Sequence, residues 1–347
     1  MGPDLLGLVG DAAAAKASAE AGALIAPTFN PSLEHALSDK MARIAATGGA
    51  FGMLEALAIV LGMVQNSLVP SLPRASLALV VADHGFALAD GSAMQAPSAS
   101  VDAVRQERLP LVALASQHEV TLHVIYASGS EPVAARAEPT LQRVRATADA
   151  RADAAMTAEQ ANAALRQGVR ESERIGGGAI VCAALGAGSD VGAALALGAL
   201  AQRDPADFAA GSGDAAAVVS AVRERHAALW KSAAARDPLE VLAALGGFET
   251  ATLAGLMLGA AARRRLVLVD GLAALAALQV ATRIAPYVAD YCVPVRSHAR
   301  RGLVAALDLC RPAMPAPLEI DAMDGTGGVL AVPILRSAAA LLATRTG

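Results

Sequence analysis

Short apolar runs, each ending in a polar or glycine-rich tail, constrain this chain more than any other feature. Ala75–Ala82 leads into Asp83-His84-Gly85, and Val120–Ala127 into Ser128-Gly129-Ser130. Ala179–Leu185 leads into Gly186-Ala187-Gly188, and Leu266–Val269 into Asp270-Gly271. A continuous apolar run of this length bounded by turn residues reads as a strand buried on both faces. Helical stretches separate the runs, so the pattern predicts an α/β fold built on a doubly wound, mainly parallel, Rossmann-like sheet. Ligands of such sheets sit outside the carboxyl ends of the strands. The polar tails are therefore where function is expected.

Before the first run, Leu33–Gln65 reads as two helices broken at Gly48-Gly49, with Leu54, Leu57, Ala58 and Leu61 on one face. Thr157-Ala-Glu-Gln160 is a capping-box pattern that starts a helix near Ala158. A loop is expected over 206–213 and an amphipathic helix from Ala215 to Trp230.

Composition narrows the function classes. With 55% hydrophobic but only 3% aromatic residues, the chain can bury a large core yet has little with which to stack nucleobases. The net charge of −4 is spread over mixed-sign segments, and the basic clusters Arg263-Arg264-Arg265 and Arg300-Arg301 are short. Neither a nucleic-acid partner nor a membrane surface is implied. The apolar runs are interrupted, as Leu266–Ala281 is by Asp270 and Gln279, and the first ten residues lack a basic start, so neither a span nor a secretory leader is expected. Cys182, Cys292 and Cys310 lack paired spacing and read as reduced, structural thiols of a cytoplasmic protein, with no metal site.

Five stretches, taken in order, carry a resemblance. They are Phe51-Gly-Met-Leu-Glu-Ala-Leu-Ala58, Val80-Val-Ala-Asp-His-Gly85, Ala155-Met-Thr-Ala-Glu-Gln160, Gly246-Gly-Phe-Glu249 with Val269-Asp-Gly271, and Gly325-Thr-Gly327. Singly each is weak; in register they are specific. The chain resembles the nicotinate-nucleotide:dimethylbenzimidazole phosphoribosyltransferase family.

That resemblance implies about six strands in a large domain, expected over 71–300. It also implies a small helical domain formed by both chain ends, 1–70 and 301–347. It implies a homodimer; a heterodimer with an intact paralogue belongs instead to the reading in which this chain is catalytically silent. The reaction it implies moves the phosphoribosyl group of nicotinate mononucleotide onto a benzimidazole-type base, giving α-ribazole 5′-phosphate, without a metal or cofactor. Such chemistry needs a carboxylate to take the azole proton, amides to cradle a phosphate, and polar groups on the ribose.

The resemblance places the base at Asp324, where the family usually has a glutamate, one methylene longer. Asp324 can equally be a cap for the turn at Gly325 and Gly327. Asp270, Gly271 and Ser297-His298 stand at family positions around the ribose and phosphate, although a strand-end Asp also satisfies local amides. Gly186, Gly188 and Gly192 form the expected phosphate loop, with Gly325 and Asp83 completing the substrate-binding set. His84 reads better as a hydrogen-bonded structural residue than as a catalyst.

The departures are equally plain. The family loop, close to Gly-Glu-Met-Gly-Ile-Gly-Asn-Thr-Thr, is here Gly186-Ala-Gly-Ser-Asp-Val-Gly192-Ala-Ala194. A downstream lysine has no counterpart, with Arg223 or Arg225 as candidates to replace it, and Asp321 stands where the family has an arginine. After Ser297-His298 an acidic residue and a second histidine are missing, and Leu109–Ala115 replaces a Gly-Gly-Ala-Ala-Ile-Asn segment that the family has after its first strand. Two readings follow: an active transferase with altered preference, or a silent paralogue that keeps the fold.

Overall fold

A computed structural model describes residues 25–88, 109–127, 146–209, 214–231, 236–295, 301–310, 320, 322 and 324–344. The amino-terminal helices are α1 (Pro31–Gly48) and α2 (Met53–Gln65). Asn30 caps α1 through the Leu33 amide, and Pro31 begins it with a pre-set φ. The break falls at Gly48–Gly49 as the glycine pair predicts, and Leu57, Ala58 and Leu61 are buried while Leu54 is half-buried.

The chain then alternates: β1 (Ala75–Val81), a single turn α3 (Gly85–Leu88), α4 (Pro110–Gln117), β2 (Val120–Tyr126), α5 (Ala158–Arg174), β3 (Ala179–Leu185) and α6 (Ser189–Ala201). It continues with α7 (Asp214–Arg225), α8 (Pro238–Leu245), α9 (Phe248–Ala262), β4 (Leu266–Val269), α10 (Leu272–Ile284), β5 (Cys292–Pro294), α11 (Arg301–Leu307) and α12 (Thr326–Ala343). The capping box at Thr157 and Gln160 forms, each side chain meeting the other's backbone amide. The expected helix from Ala215 runs from Asp214 to Arg225 and tightens into a 3₁₀ turn at Ala227–Trp230.

The strands pair in the order β2-β1-β3-β4-β5, every neighbour parallel. Five strands are therefore present among the described residues, where about six were expected. The last is a three-residue strand too short to leave a pattern in the sequence. The chain leaves β1 toward β2 on one side and resumes at β3 on the other, so the topological switch point lies between the carboxyl ends of β1 and β3.

Helix α9 packs with α5 and α10, and α10 with α6, whereas α12 packs with α1, α2 and α4. Gly325 and Gly328 lay the start of α12 on the sheet, since a Cβ at Gly325 would stand 2.7 Å from Leu77 and one at Gly328 would strike Val181. At the far end of α12, Arg336 donates to the carbonyls of Leu72 and His118, at the amino edge of the sheet. The helix thus runs against the strands and begins at their carboxyl edge. By length and composition α12 is the one helix among the described residues fit to cross a membrane, but more than half of it is buried within the fold.

The pair α5–α9 meets backbone to backbone. A Cβ on Gly168 would fall on the Thr252 carbonyl oxygen, and one on Gly255 on the Leu165 carbonyl oxygen.

Candidate active site

The ladder between β1 and β3 continues past the strands. Ala82 donates to the Leu185 carbonyl at 3.2 Å and His84 to the Ala187 carbonyl at 3.0 Å. Extended backbone turns successive side chains to opposite faces. Asp83 therefore shares the face of Leu77, the one α12 covers, and His84 turns the other way.

On the α12 side stand three aspartates. Asp83 accepts from the Ala187 amide at 3.0 Å, so it ties the two strand ends together across the switch point. Burial raises its pKa above the ordinary carboxylate value, against the opposing effect of the Ala187 amide. Asp270, fully buried after β4, accepts from the Gly328 amide at 2.8 Å and so fixes the first turn of α12. Asp324 is half-buried and its Oδ1 accepts from the Thr326 amide at 3.0 Å and the Thr326 hydroxyl at 2.6 Å. That is the geometry of an Asx cap. It uses one carboxylate oxygen; the other takes no hydrogen bond from the described residues.

On the other side a sealed network forms. His84 Nε2 lies 2.9 Å from Glu249 Oε1, which also accepts from the Ser189 hydroxyl at 3.1 Å. His84 and Glu249 are both fully buried. The carboxylate has only lone pairs to offer, so Nε2 is the ring nitrogen assigned the proton. Glu249 lies in the first turn of α9 and Ser189 in that of α6, so two helix amino termini converge on one carboxylate.

The loop between β3 and α6 rests on this network. Gly188 has φ +79°, a left-handed conformation that a side chain would strain, and its missing Cβ makes room for the Phe86 ring at 2.7 Å. At Gly192 a Cβ would enter the His84 ring, 2.8 Å from Nδ1. Gly186 likewise has no space for a side chain, which would strike the Ala82 carbonyl. All three glycines are thus required by close approach to the end of β1, independently of any ligand.

The structure brings Asp83, Gly186, Gly188 and Gly192 together at the switch point, and Asp270 with Gly325 and Asp324 at the start of α12. Gly271, with φ +91°, heads α10. Ser297, His298 and Asp321 lie outside the described residues. Arg223 pairs with Asp204 at 2.6 Å on an exposed surface, and Arg225 donates to the Ala152 carbonyl at 2.9 Å. Both arginines are thus engaged elsewhere. Glu249 was given no role by the sequence; its signal was a solitary glutamate in a helix whose other residues are buried apolar, small or threonine. No His, Cys, Asp or Glu cluster among the described residues has the makings of a metal site.

The fold and site define a doubly wound α/β protein in which the β1/β3 switch point and the start of α12 stand together at the carboxyl edge of the sheet. The comparisons name the kind. The family described as Phosphoribosyltransferase (DBI_PRT) matches residues 26–346. A Variovorax paradoxus protein named nicotinate-nucleotide–dimethylbenzimidazole phosphoribosyltransferase is 36% identical over 300 residues, 85% of this chain and 86% of the relative. One of the same name from Deinococcus radiodurans is 35% identical over 327 residues, 88% of this chain and 87% of its own. The crystal structure of the Thermus thermophilus enzyme of that name superposes with a TM-score of 0.79 at 25% identity, covering 92% of this chain and 97% of that one. This chain belongs to the nicotinate-nucleotide–dimethylbenzimidazole phosphoribosyltransferase family.

Proposed function

We propose that the chain transfers the phosphoribosyl group of nicotinate mononucleotide to a benzimidazole-type base. The azole nitrogen bonds to the anomeric carbon, the bond from that carbon to nicotinate breaks, and the azole proton passes to a carboxylate. Asp324 is the carboxylate we assign to that step. The observation that carries the assignment is its half-used cap: Oδ1 is locked by Thr326 while the other oxygen takes no hydrogen bond from the described residues. A base held in one orientation needs no reorganisation at the moment of transfer.

Asp83, Asp270, Gly271, Gly325 and Ser297 are assigned to the ribose and phosphate, with the amides of the Gly186–Gly192 loop at the start of α6 meeting the 5′-phosphate. We further infer a homodimer. Phe29, Leu68, Val69 and Tyr287 are exposed large apolar side chains, and Tyr291 and Asp290 bind the Ala26–Thr28 segment beside the turn that carries Tyr287.

Incubation with nicotinate mononucleotide and dimethylbenzimidazole is expected to release nicotinate and form α-ribazole 5′-phosphate, both read by chromatography. Folded protein that yields neither product, with this base or with other benzimidazoles, purines and phenols, overturns the assignment.

A further inference from the structure

The Ser189–Glu249–His84 network is expensive for what it holds. A buried carboxylate is tolerated only when hydrogen-bonded, and an apolar side chain fills the same space at lower cost. Here Glu249 Oε2 and His84 Nδ1 have no hydrogen-bond partner among the described residues, so the network is not optimised for stability. It does join three segments distant in sequence: the end of β1, the first turn of α6 and the first turn of α9. The loop above it is braced from below by the His84 and Phe86 rings, whose centroids are 5.0 Å apart.

We propose that Glu249 is a positioning residue: through Ser189, and braced by His84, it fixes where the Gly186–Gly192 loop holds its backbone amides, although it touches no reactant. This rests on the reading that the loop takes the phosphate of the nucleotide. Ser189 hydroxyl is the link, because its oxygen donates to Glu249 while its own amide begins α6 and closes the loop onto the Gly186 carbonyl at 3.3 Å. With side chains lost from the family loop, amide placement is what remains to recognise an anion, and a shift of about 1 Å in such a cradle weakens binding steeply.

The test is a variant series on the full chain. Glu249→Gln keeps the shape and an acceptor oxygen but removes the charge that strengthens both hydrogen bonds, and is expected to raise KM for nicotinate mononucleotide about tenfold with kcat within about twofold, the pattern of lost ground-state binding. Ser189→Ala is expected to raise KM about threefold, and the double variant to be no worse than Glu249→Gln alone, because both cut one linkage. Replacing the whole pair, His84→Leu together with Glu249→Met, leaves no buried partner uncompensated and separates positioning from mere support: Tm is maintained while KM climbs as for Glu249→Gln. Unchanged KM across the series, an effect confined to kcat, or additive losses in the double variant overturns the proposal. Should Glu249→Gln not fold, Ser189→Ala decides by the same KM criterion. Wild-type turnover tests the reaction itself; if that fails, the amide resonances of Ala187–Val191 without ligand still decide. They shift in Glu249→Gln if the carboxylate positions the loop, and unshifted amides overturn the idea.

Discussion

The two sides of the sheet's carboxyl edge are built to opposite rules. Beneath the β3–α6 loop, polar groups are sealed: His84 and Glu249 have no exposure and bond to one another. At the start of α12, Asp324 is half-buried and one of its oxygens takes no hydrogen bond from the described residues. A chain that places adjacent residues, Asp83 and His84, on these two sides sends one to the aspartate cluster and the other to the sealed network within a single peptide step. The difference teaches that a motif is not a unit of function. Its residues divide by the face each one meets.

The comparison breaks most visibly through His84. Removing one partner of a buried pair leaves the other uncompensated, so His84→Ala is expected to cost about 3–5 kcal/mol. Chemical denaturation reads this loss, and a variant as stable as the parent would show that the sealed side is not sealed.

Asp324→Asn probes the open side. The amide oxygen still caps Thr326, so Tm stays within about 1 °C, whereas turnover drops about a hundredfold or more if the carboxylate takes the proton. Asp324→Ala adds loss of the cap, worth about 1 kcal/mol. If Asn matches the parent in rate while Ala loses stability, Asp324 is a turn residue only.

Asp83→Asn gives the smallest effect and a signed one. A carboxyl whose folded pKa is raised binds its proton more tightly folded than unfolded. Its stabilising contribution is complete below the unfolded value near 3.8 and is lost as pH rises through the folded value. Asn retains the acceptor for Ala187 and carries no charge. The variant is expected to melt about 1–2 °C above the parent at pH 7, the gap closing toward pH 4. A gap that widens on acidification would reverse the assignment.

Much of this was legible in the sequence, for reasons tied to particular residues. The apolar runs of β1, β3 and β4 declare buried parallel strands because both faces exclude polar side chains, and Thr157 with Gln160 declares a helix start because capping is local. β5 was not legible, since three residues carry no period. The glycine loop was read as a cradle, but its spacing cannot reveal that Gly192 yields to the His84 ring. The His84–Glu249 contact spans 165 residues, and only the pairing of β1 with β3 and the packing of α9 bring the two together.

The backbone contact between α5 and α9 has a consequence for how such a protein changes over generations. Where side chains meet, a loss of volume on one partner can be restored by a gain on the other, and neutral drift explores those exchanges. Where main chains meet, as at Gly168 and Gly255, neither partner has volume to give. The distance between the two helices is then not negotiable. Glu249 stands on the first turn of α9, so its height above the sheet is inherited along with that seam.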